Sequence, residues 1–62
     1  MFNSDFVIIS MFNNGFGSVI TENGTFECTK DEAEYFILNT RNTHKEVAYK
    51  MFENGDKTYW FN

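Results

Sequence analysis

Proline is absent from this chain, cysteine, histidine and tryptophan occur once each, and only five residues are basic. The single thiol, Cys28, excludes an intramolecular disulfide and fits a reducing compartment. No Cys/His cluster has metal-ligand spacing, so no metal and no cofactor is expected. The apolar stretch Phe6 to Ile9 is far too short for a signal-peptide core or a membrane span, and no basic residue precedes it. Nine acids against those five bases leave a net charge of −4, which disfavours nonspecific binding to phosphate backbones. Gly15-Phe16-Gly17 lacks both the Lys and the following helix of a phosphate loop. The expectation is a cytoplasmic protein with no membrane association, for which nucleic acid is not the expected partner.

What the chain has is aromatic rings and turn signals. Its 62 residues make one small domain, 1–62, with neither linker nor internal repeat. A domain of this size buries only about 60% of its unfolded surface and needs some extra source of stability. Eight Phe, three Tyr and one Trp supply it, since each ring can bury roughly 150–250 Å². Abundant Asn, Phe, Ile, Lys, Tyr and Met with scarce Ala and Arg is the bias of an AT-rich coding sequence, common in bacteriophages and mobile elements.

Three Asn-Gly pairs, Asn14-Gly15, Asn23-Gly24 and Asn54-Gly55, separate β-prone segments and read as hairpin turns. Asn23-Gly24-Thr25 also matches a glycosylation sequon, but without an export signal the turn reading prevails. Two-residue turns at the first two pairs predict Ile9 opposite Ile20 and Thr21 opposite Phe26. Phe6, Ile8, Ser10, Phe12, Val19, Thr21, Phe26 and Cys28 then share one face of the sheet. Val7, Ile9, Met11, Phe16 and Ile20 share the other.

Thr29-Lys30-Asp31-Glu32 is a capping box, with Cys28 and Ala33 at hydrophobic-staple positions, and predicts a helix from about Lys30 to Thr40. Ala33, Phe36, Ile37 and Thr40 fall on one stripe, expected over the Phe6/Ile8/Phe26 face, with Tyr35 and Leu38 pointing away. In the last hairpin a two-residue turn would set Glu53 against Asp56. A three-residue loop, Glu53-Asn54-Gly55, avoids that and pairs Met51 with Lys57, Tyr49 with Tyr59 and Val47 with Phe61. The predicted fold is α+β: a small antiparallel sheet of about five strands, β-β-β-α-β-β, with one helix on one face.

One helix cannot cover both sides of such a sheet. The uncovered side is expected to carry Val7, Ile9, Met11, Phe16 and Ile20, a contiguous apolar patch. Curling of the sheet, stacking of two copies as a homodimer, or a different protein would each cover it. The chemistry-bearing residues are sparse. His44 lies in a polar loop with no positioned partner, and Cys28 fits a small buried hydrophobe better than a nucleophile. No catalytic residue is assigned, and an enzyme is not expected. Partner-binding candidates are the helix residues Tyr35 and Leu38, the acids Glu27, Asp31 and Glu34, and the aromatics Phe52 and Trp60. The expected role is a protein-binding module, itself a homodimer, a phage- or mobile-element-encoded modulator or inhibitor that occludes a host protein. The alternative is a single-stranded nucleic-acid-binding domain using Lys50, Phe52, Lys57 and Trp60.

Overall fold

A computed structural model describes residues 2–62 and has the element order β1 (Val7–Met11), β2 (Phe16–Thr21), β3 (Gly24–Thr29), α1 (Lys30–Thr40), β4 (Val47–Met51) and β5 (Lys57–Phe61). The strands form one antiparallel sheet in the order β3-β2-β1-β5-β4, with β1 at its centre. The terminal hairpin adds β5 to the free edge of β1 and extends the layer. It does not fold over the second face, so curling is not what covers that face.

The helix begins as its sequence dictates. The Thr29 hydroxyl accepts from the Glu32 amide at 3.2 Å, and the Glu32 carboxylate accepts from the Thr29 amide at 2.9 Å. The backbone hydrogen bond from Thr29, then the one from its side chain, hold the Glu32 carboxyl below the ordinary range. Ala33, Ile37 and Thr40 are buried and Phe36 is half-buried, whereas Tyr35 and Leu38 point away from the sheet. At the far end, the Thr40 carbonyl accepts from both Thr43 and His44 amides, which closes the last turn.

All three Asn-Gly pairs turn the chain, yet none does so as a type I′ turn. Among the described residues only Gly15, Gly24 and Gly55 adopt positive φ, at 92°, 131° and 94°, and every Asn stays at negative φ. The last hairpin has the predicted three-residue loop and register. The first has the same loop, which corrects its expected register. Phe12 and Phe52 each open a loop by donating to the carbonyl four residues on, at 2.8 Å in both cases. The Asn14 and Asn54 side chains each accept from the amide two residues on, at 3.1 and 3.0 Å. The common cause corrects the expectation of no internal repeat: Met-Phe-x-Asn-Gly occurs twice, at 11–15 and 51–55. Three loop residues let Gly15 alone take the left-handed conformation that a two-residue type I′ turn would also impose on Asn14.

That extra residue shifts β1 by one position against β2, pairing Ile9 with Val19 and Met11 with Gly17. A one-residue shift turns every side chain of the strand over. Val7, Ile9 and Met11 therefore lie beneath the helix in the core with Val19, Ala33, Ile37 and Phe61. They are not on the bare side. Phe6, Ile8 and Phe12 take their place there. At the second turn Thr21 pairs with Gly24, and the centre of the turn falls at Glu22-Asn23. The shift is two residues in the pairing, so the faces of β2 and β3 stay as expected. Phe26 keeps its side but sits on an edge strand and is 51% exposed.

Candidate interaction surfaces

Strand pairing arranges the helix-free side in rows that cross the sheet. The middle row runs Glu27, Ser18, Ser10, Thr58, Lys50, from the β3 edge to the β4 edge. Ser10 and Thr58 are buried although no element covers them, and their hydroxyls hydrogen-bond at 3.0 Å. Large neighbours shield them. The row on one side contains Ile20, Ile8 and Trp60, and the loops on the other side bring up Phe16, Phe12 and Phe52. Phe16 is 60% exposed, and Lys50 lies over the Phe52 ring, 5.0 Å from its centre. The expected bare apolar face is thus present with part of its membership exchanged. Phe16 and Ile20 stay, Phe6, Ile8 and Phe12 join them, and Val7, Ile9 and Met11 leave.

The two repeated loops meet at one end of this side. The Asn13 amide donates to the Asp56 carboxylate at 2.9 Å, the Asn13 side chain donates to the Asn54 carbonyl, and Asn54 donates to Asp56 at 3.1 Å. Phe12 and Phe52 flank a shallow hollow beside that clasp.

On the other side of the sheet the helix leaves a second bare area. Five strands at about 4.8 Å spacing make a layer roughly 24 Å wide, whereas a helix with its side chains is only about 10–12 Å across. The helix packs on β1, β2 and β3. Val47, Tyr49 and Met51 of β4 point to the helix side and remain exposed, Met51 at 55%. The Tyr49 and Tyr59 rings lie 4.7 Å apart on this floor, and the Arg41 guanidinium sits 5.6 Å from the Tyr59 ring centre. Between β4 and the helix runs a groove walled by Glu34, Leu38 and Arg41 and floored by Met11, Lys57 and Tyr59, with Leu38 65% exposed. Sequence reasoning missed this trough because it depends on strand order. Leu38, read from the helix stripe, borders it, whereas Tyr35 lies on the other flank of the helix beside Phe36.

The remaining candidates do not assemble as expected. Asp31 and Glu34 lie on the helix, while Glu27 points to the opposite side of the sheet, so the three acids form no single patch. Lys50, Phe52 and Trp60 share the helix-free side, and Lys57, paired with Met11, is on the helix side. His44 is tied at both ring nitrogens. Nε2 donates to the Ser4 carbonyl at 2.7 Å, and Nδ1 lies 2.8 Å from the Thr43 hydroxyl. The ring braces the N-terminal segment against the loop after the helix. Burial, and then the nearby Glu32 carboxylate, push the Cys28 thiol up, away from the reactive thiolate. Among the described residues no three His, Cys, Asp or Glu side chains converge as metal ligands, and no helix is long and apolar enough to cross a membrane.

Comparison with protein-family models, curated proteins and solved structures finds no match to this chain.

Proposed function

We propose that this chain is a protein-binding module whose partner inserts an amphipathic helix into the trough beside α1. The observation that carries this reading is the mismatch in width between sheet and helix. Beside the buried Phe61 and half-buried Tyr59 of β5, the helix side of β4 lies bare, and Val47, Tyr49, Met51 and Leu38 offer an incoming helix apolar contact. Tyr and Met are typical of such surfaces, the first as rigid anchors and the second as adaptable contact area. Glu34 and Arg41 on the wall and Lys57 on the floor set the charges that an incoming helix has to match. Binding rather than catalysis is supported by the structural engagement of His44 and the raised Cys28 thiol. The AT-rich composition favours a phage or mobile element as the source, the host cytoplasm as the location, and occlusion of a host protein as the effect.

Capture from host lysate with the wild type and with Leu38→Asp and Tyr49→Asp tests the reading. The wild type is expected to retain a stoichiometric partner that both variants lose while keeping the wild-type circular dichroism. Absence of any stoichiometric partner, or equal capture by the variants, would overturn it.

A further inference from the structure

We infer that the helix-free side of the sheet binds a second copy of this chain, face to face, about a two-fold axis that runs along β1. This concerns the side of the sheet opposite the partner trough, so the two proposals can fail separately.

Charge selects both the occupant and the axis. The middle row, Glu27-Ser18-Ser10-Thr58-Lys50, is acidic at one end, basic at the other and small and neutral between. A two-fold axis parallel to the strands through Ser10 reverses that row in the second copy. Each Glu27 then faces the partner's Lys50, and Ser18 faces the partner's Thr58. An axis across the strands would instead set Glu27 against Glu27 and Lys50 against Lys50. Only the first arrangement is self-complementary, as an isologous interface requires. Stacked sheets lie about 10 Å apart, a gap that facing Glu and Lys side chains bridge together.

Shape and area agree. The small Ser10, Ser18 and Thr58 form a shallow valley between two apolar rows, so the rows approach their counterparts without a clash at the centre. The face spans roughly 24 Å by 16 Å, or about 400 Å² in projection. Two such faces come to about 800 Å² in projection, and side-chain relief brings the buried area toward the ~1,000 Å² total that a specific interface needs. Each chain carries a charge of −4, so association must overcome net repulsion. Two intermolecular Glu27–Lys50 contacts offset part of it.

Sedimentation equilibrium on the full chain tests this. The wild type is expected at twice the 7.3 kDa chain mass. Glu27→Lys or Lys50→Glu puts like charges opposite each other at both sites and should weaken the dimer about tenfold or more. The combined Glu27→Lys, Lys50→Glu variant restores opposite charges and should recover wild-type association. Both positions are exposed strand residues, and circular dichroism checks that each variant folds. A wild-type mass of 7.3 kDa at all concentrations would overturn the inference. So would single variants that associate like the wild type, the outcome for edge-to-edge pairing or the other axis, or a double variant no better than the singles.

Discussion

Gly17 has no room for a side chain. A Cβ built there would stand 2.7 Å from the Ser10 carbonyl oxygen and 2.9 Å from the Ala33 Cβ, so the helix rests on the bare backbone of β2. Gly17→Ala should cost about 1–3 kcal/mol in chemical denaturation, the range for overpacking, whereas Ser18→Ala on the facing side should cost far less. Glu32 gives a pH signature. Its folded carboxyl titrates below the unfolded one, so its contribution is complete above the ordinary Glu range and is lost as pH falls through the lowered folded value. Glu32→Gln keeps an acceptor for the Thr29 amide but does not titrate. The acid-side fall in stability should therefore be shallower in that variant than in the wild type. The capping box was legible because it is a local device, spelled by four consecutive residues. The crowding at Gly17 was not, because it needs the helix in place.

The two Met-Phe-x-Asn-Gly hairpins show what element-level reasoning reached and where it stopped. The second was read correctly because a two-residue turn would have faced Glu53 with Asp56. The first lacks that charge clue, with Asn13 and Phe16 in the corresponding places, and only its likeness to the second could have supplied the three-residue loop. That single residue decides which side of β1 enters the core. Gly15 and Gly55 both adopt left-handed φ, Gly15 in open space and Gly55 with only an ordinary 3.8 Å contact to the Asn13 Cβ awaiting a methyl group. Replacing either with Ala should therefore destabilise the fold by a similar amount, about 1–2 kcal/mol by thermal denaturation. Unequal costs would show that the two loops are not equivalent. Asp56→Ala removes the acceptor for the Asn13 amide and the Asn54 side chain and should loosen both loops together, visible as faster amide exchange at Asn13 as well as at Gly55.

Sheet width governs the surface of this protein. A small domain cannot hide two faces of a five-stranded layer with one eleven-residue helix. The excess of apolar side chains was legible from composition and alternation, and the identity of the bare residues was half legible. Phe16 and Ile20 were placed on the right side, while Phe6, Ile8 and Phe12 were exchanged with Val7, Ile9 and Met11 by the register of one turn. The trough beside the helix was invisible beforehand, since no local signal says that β5 pairs with β1 and leaves β4 at the edge. Everything proposed about partners follows from which side of β1 is buried. Methyl nuclear Overhauser contacts across the core test that directly. Ile9 and Val7 methyls should show contacts to Ala33 and Ile37 of the helix, and Ile8 methyls should show none. Contacts from Ile8 to Ala33, with Ile9 free of the helix, would contradict the account.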